Sequence, residues 1–104
     1  MVHKVKVSEL SELDVSEYLD SGEDIAAYLT AVLEENDPAL LAAALGDIAR
    51  ARGMTQVAKD AGITREALYK ALRQNSEPRF ETIQRVCTAL GVQLVAQSMH
   101  LRHA

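Results

Sequence analysis

The chain has 104 residues, which fits one domain with a single core and leaves no room for a second. Apolar residues make up 48% of it and charged residues 25%, a globular balance that argues against global disorder. The formal charge is −4, and no apolar run approaches the ~20 residues of a membrane span. The start, MVHKVKVSEL, has neither the continuous apolar stretch nor the small-residue site of a signal peptide.

With Cys87 the single cysteine, no internal disulfide can form, so a reducing, cytoplasmic setting is expected. The charge is unevenly spread. Residues 1–37 hold Lys4 and Lys6 against ten acids, whereas residues 38–104 hold nine cations against five acids. Such asymmetry suggests two surfaces, one for a polyanion and one for a basic protein. An acidic face that only keeps the protein soluble is the plainer alternative.

In chain order, Val2, Val5 and Val7 with Lys4 and Lys6 between them suggest a short, irregular strand. Residues 8–13 lead to Asp14 or Ser16, either of which could cap a single turn through Tyr18 and Leu19. Ser21 begins a clearer helix, with Asp24 placed as in a capping box. Ile25, Tyr28, Leu29, Val32 and Leu33 give it an apolar stripe. Glu34, Glu35 and Asn36 close it against the helix dipole, so this end is expected to fray or to meet a cation.

Asp37 followed by Pro38 is an N-cap with proline at the first helical position. The helix it opens should bury Leu41, Ala44, Leu45 and Ile48. Arg50 and Arg52 suit its negative end, and Gly53 stops it.

Residues 54–73, MTQVAKDAGITREALYKALR, then read as two short helices joined by a tight turn. Val57, Ala58 and Ala61 form the inner face of the first. Gly62 ends it in the left-handed conformation, Ile63 plugs the angle, and Thr64 caps the second. There Ala67, Leu68, Ala71 and Leu72 share one face, and Arg65, Glu66, Tyr69, Lys70 and Arg73 the other.

The loop QNSEP follows. A last helix over 79–90 should bury Phe80, Ile83, Val86, Cys87 and Leu90, and ends at Gly91. Val92, Leu94 and Ala96 alternate with Gln93, Val95 and Gln97 as a terminal strand, covered on both sides if Val95 is to be buried. Its partner would be residues 2–7 or the same strand of a second subunit. The chain thus divides into an extension (1–20), a domain (21–97) and a flexible tail (98–104).

The polar face of 65–73 has the chemistry of a DNA major-groove reader. Arginine pairs bidentately with guanine, glutamate accepts from cytosine, and arginine and lysine neutralise phosphates. A small residue, a glycine four later, an apolar residue and then a polar helix form the helix-turn-helix signature. Lys59, Lys70, Arg73 and Arg79 are candidate phosphate contacts. Tyr69 would meet a thymine methyl or a phosphate, or else pack at the edge of the motif. The plainer alternative is a helical hairpin with a solvated Glu66–Lys70 pair.

The runs ALGDIARARGMTQVAK and GITREALYKAL carry a wider resemblance, over residues 15–97. They resemble the antidote (antitoxin) proteins of bacterial addiction modules, in the HigA-like branch of the Xre-type helix-turn-helix family. The resemblance implies an all-α, five-helix fold of lambda-repressor type, here with the short N-terminal extension and a minor terminal β-strand. It implies a homodimer that binds a palindromic operator, represses its own operon and neutralises a small basic toxin of RelE/ParE (HigB-like) type. Arg65, Glu66, Tyr69 and Lys70 match the family's base-reading helix, flanked by Thr55, Gln56 and Thr64.

One position departs from the wider class. Met54 stands where a backbone-contacting glutamine is common, so the second helix should be short. Toxin contact is assigned on charge to residues 15–37, with Tyr18, Tyr28, Glu34 and Glu35 as candidates. A stand-alone repressor of phage type is the alternative function, although it has no need of the acidic segment.

Catalysis is not expected. There is no phosphate-binding glycine loop and no nucleophile–base pair. His100 and His103 have an i,i+3 spacing but no further ligand nearby, so no metal or cofactor is expected. Cys87 lies on an apolar stripe and reads as a buried structural thiol.

Overall fold

The computed structural model describes residues 21–99. Among the described residues there are five α-helices and no strand: α1 (Gly22–Glu34), α2 (Pro38–Arg52), α3 (Met54–Ala61), α4 (Arg65–Leu72) and α5 (Phe80–Ala89). The irregular strand expected at 2–7, the turn through Tyr18 and Leu19, and His100 and His103 lie outside the described residues.

Local capping chemistry sets most helix ends. Ser21 Oγ accepts from the Asp24 amide at 3.2 Å, and Glu23 and Asp24 lie in the positive first turn of α1. Asn36, at φ 57°, takes the left-handed conformation just beyond that helix. Asp37 Oδ1 accepts from Ala39 N at 3.1 Å, with Pro38 at the first helical position of α2. At the end of α3, Gly62 sits at φ 75°. Its amide donates to Lys59 O at 3.2 Å, and the Ile63 amide donates to Ala58 O at 3.0 Å, the paired bonds of a Schellman turn.

The core is largely aliphatic. Ile25, Leu29 and Val32 of α1 meet Leu45, Ile48 and Ala49 of α2, Val57 and Ala58 of α3, Leu68 and Leu72 of α4, and Val86, Cys87 and Leu90. No polar or charged residue is buried among the described residues. Helix α2 packs against α1, α3 and α4, and so is buried more widely than one stripe: Ala42, Gly46 and Ala49 join Ala44, Leu45 and Ile48, while Leu41 is half-buried.

Gly46 permits one close approach. A Cβ there would fall 3.0 Å from the carbonyl oxygen of Leu72, so the backbone at the end of α4 rests directly on α2.

Three expectations are corrected. Phe80 is 63% exposed and Leu33 is 42% exposed, although both fall on helical stripes. Each stands at or next to a helix end. Ala67 is likewise exposed, leaving Leu68 and Leu72 to anchor α4. The terminal strand does not form among the described residues. Val92 and Leu94 pack against the core while Val95 is 75% exposed, so the inward alternation holds in part, but no ladder accompanies it. A strand requires a partner to bond its backbone, and none of the described residues supplies one.

Candidate nucleic-acid interface

Helix α4 presents Arg65, Glu66, Tyr69, Lys70 and Arg73 to solvent, because Leu68 and Leu72 hold its opposite face in the core. Residues three and four apart are neighbours on a helix, so these five make one patch. Thr64 Oγ1 accepts from the Ala67 amide at 3.0 Å and fixes where the patch begins.

Within it, the Arg65 guanidinium carbon lies 5.1 Å from the centroid of the Tyr69 ring, and Nη2 donates to Tyr69 Oη at 3.2 Å. The stack is a cation–π contact that holds the arginine fork while leaving most of its donors open. Glu66 and Lys70 form no salt bridge with each other; the two ion pairs found among the described residues are Arg50–Asp47 and Arg85–Glu81. The face is therefore not tied up by its own charges.

Lys70 and Arg73 line a notch with Ala67, Arg79 and Thr82, at the start of α5. No side chain caps that helix, and its first turn adjoins an opening lined by three cations and by Glu77. Free amides at a helix N-terminus, the positive dipole end and nearby cations together suit a phosphate. On the other side of the turn, Thr55 and Gln56 are exposed in the first turn of α3, which also lacks a side-chain cap. Gln56 Nε2 donates to Asp60 Oδ1 at 2.9 Å, so its amide is engaged on its own helix. Helix α3 is only eight residues long, and its first residue, Met54, is buried.

Sequence reasoning missed two contacts that fix this geometry. Arg85 Nη1 donates to Ala61 O at 3.4 Å, placing a cation on the negative end of α3, while its Nη2 meets Glu81 Oε2 at 3.2 Å. Ser76 Oγ donates to Ala71 O at 2.7 Å and closes α4. A serine among turn formers was the one available signal for the second. The first joins residues 24 apart in sequence and had none.

The candidate protein-contact residues separate. Glu34 and Glu35 are exposed at the end of α1. Tyr28, by contrast, is buried: its ring is in the core, and its hydroxyl pKa is raised by burial and then by the charge of Asp47. The i,i+3,i+4 stripe that points Tyr28 inward outweighs its charged surroundings in sequence. Tyr18 lies outside the described residues. Cys87 is buried, and burial pushes its thiol up to about 11. No group of three or more His, Cys, Asp or Glu residues assembles as a metal site among the described residues.

Comparison with known proteins adds a family. Residues 9–98 match a family model described as "Probable addiction module antidote protein". A protein of Haemophilus influenzae (strain Rd), described only as uncharacterized, is 49% identical over 89 residues, covering 86% of this chain and 92% of that protein. No solved structure matches the chain.

Proposed function

Because the chain belongs to the family of addiction module antidote proteins, a family of antidotes and not of enzymes, we propose that it is the antitoxin of a type II toxin–antitoxin module. In this reading α3 and α4 are a helix-turn-helix of the Xre, HigA-like kind, and the unit spanning residues 21–97 binds DNA. A homodimer places two α4 helices about 34 Å apart, one DNA turn, on a palindromic operator of its own operon. The cognate toxin that the family implies is a small basic protein of RelE/ParE type, and both act in the cytoplasm.

The observation that carries the DNA reading is the α4 face, where Arg65 is held on Tyr69 with Lys70 and Arg73 beside it. In the groove, Arg65 and Glu66 would read base edges, and Tyr69 would meet a thymine methyl or a phosphate. Lys70, Arg73, Arg79 and Lys59 would neutralise phosphates, with Thr55, Gln56 and Thr64 flanking the reading helix.

The test is fluorescence anisotropy with the DNA immediately upstream of the gene, at two salt concentrations, against a scrambled duplex. Preference for the upstream DNA, lost in an Arg65→Ala/Lys70→Ala variant, is the expected result. Equal weak binding to both duplexes would make the α3–α4 pair a packing unit only.

A further inference from the structure

Leu33, Val95 and Met99 are large apolar residues exposed to 42%, 75% and 74%, and all three line one groove of about 500 Å³. Its floor is Ala26, Leu29 and Thr30 of α1, and its other wall is the segment 92–99. On the far side of Leu33 a smaller hollow continues over Val32, Pro38 and Leu41, at the α1–α2 corner. Leu33 is thus the ridge between two adjoining apolar surfaces. An isolated exposed leucine needs no explanation, but a contiguous apolar groove marks a binding surface.

The charge around it selects the occupant. Residues 21–49 contain Glu23, Asp24, Glu34, Glu35, Asp37 and Asp47 and not one lysine or arginine, and residues 86–99 carry no charge at all. Glu34 itself lines the groove, and Asp37 lines the hollow. A second copy of the chain would bring this acidic rim against its own like, which costs free energy. The extension at residues 1–20 is also acidic, with five acids against Lys4 and Lys6. A cationic segment with an apolar face has neither penalty.

We propose that the groove between α1 and residues 92–99 is the docking site for a basic, apolar-faced segment of the cognate toxin, with Leu33 as the central anchor and Glu34 and Glu35 as its charged rim. The proposal rests on the antidote reading and goes beyond it by naming the surface. It places the partner on the flank of α1 next to the core stripe, with Leu29 shared between the two, and without using the exposed face of α4. An apolar anchor inside a polar rim is the anatomy in which a few residues carry most of the affinity.

The probe is the purified small protein encoded by the reading frame beside this gene, titrated calorimetrically into the full chain. Leu33→Ser and Val95→Ser should each weaken the complex on the order of tenfold to a hundredfold. Phe80→Ser, at an equally exposed phenylalanine outside the groove, should leave affinity unchanged. Both groove variants replace exposed side chains, and an unchanged melting temperature shows that they fold. If the wild-type complex forms and the groove variants bind like wild type, the groove is not the docking site and the antidote reading stands. If the wild-type chain forms no complex, the antidote reading fails and this proposal with it. If Leu33→Ser instead splits a dimer of the free chain in sedimentation, with toxin affinity intact, the groove belongs to a second copy and the proposal is overturned.

Discussion

The guanidinium of Arg65 stands over the ring of Tyr69, one helical turn on, with its Nη2 in hydrogen-bond contact with the Tyr69 hydroxyl. Tyrosine is then a positioning residue for arginine, in addition to any contact of its own. Arg65→Ala is expected to cost ~1–3 kcal/mol in operator affinity and to relax preference at one base position. Tyr69→Ala should weaken binding less, and the double variant should be little worse than Arg65→Ala. A double-mutant cycle by anisotropy checks this; strict additivity would show that the two act independently.

Lys70 and Arg73 and, across the notch, Arg79 line one opening, and in the DNA reading proposed above they neutralise phosphates. Alanine at any one should weaken binding to all duplexes alike and lower the slope of log K against log salt by about 0.9. A changed base preference with an unchanged slope would move that residue into the groove.

Gly46 touches the Leu72 carbonyl, and a main-chain oxygen cannot swing aside as a side chain can. Gly46→Ala should therefore destabilise the fold by roughly 1–3 kcal/mol, despite a gain in helix propensity of about 1 kcal/mol. At about 4–8 °C per kcal/mol for a domain of this size, a thermal melt resolves it. A melting temperature equal to or above wild type would mean that α4 can shift on α2.

Burial raises the Cys87 thiol from 9.0 to about 11. The folded chain thus keeps this proton to higher pH than the unfolded chain does. Its contribution to stability is complete below pH 9 and is lost as pH rises toward 11. Tyr28 acts with the same sign from a starting value of 10.0. Urea midpoints between pH 8 and 11 should fall, and Cys87→Ala should remove the earlier part of that fall. An identical profile in the variant would assign the whole loss to other groups.

Glu34 and Glu35 are exposed at the end of α1. Reversing both to lysine should weaken the toxin complex and flatten its salt dependence, because rim charges act mainly on association rate. Unchanged association kinetics would take these two carboxylates out of the interface.

Short-range chemistry was the most legible part of the chain. Ser21, Asp37, Thr64 and Gly62 each act within four residues of themselves, and the structure bears out all four. The α4 face was equally readable, since Leu68 and Leu72 fix by periodicity which side Arg65 and Tyr69 must occupy. Their stack uses the i,i+4 spacing of a cation and an aromatic ring, but the sequence alone offered Tyr69 only a thymine methyl, a phosphate or the motif edge. What periodicity could not give was depth. It marks Phe80 and Leu33 as inward but says nothing of whether another helix reaches that far. The small residues Ala42, Gly46 and Ala49 carry little hydrophobic signal, yet they let α2 be enclosed by three helices. The strand at 92–97 depended on a partner, and alternation alone does not supply one.

The largely aliphatic core has a further consequence, for divergence. Tyr28 and Cys87 apart, the buried side chains among the described residues are apolar, so most substitutions inside need only conserve volume, and such exchanges usually cost less than about 1.5 kcal/mol. The exposed residues of the α4 face, and Leu33, Val95 and Met99 along the α1 groove, lie outside that interior. Either surface is therefore free to diverge while the scaffold stays the same.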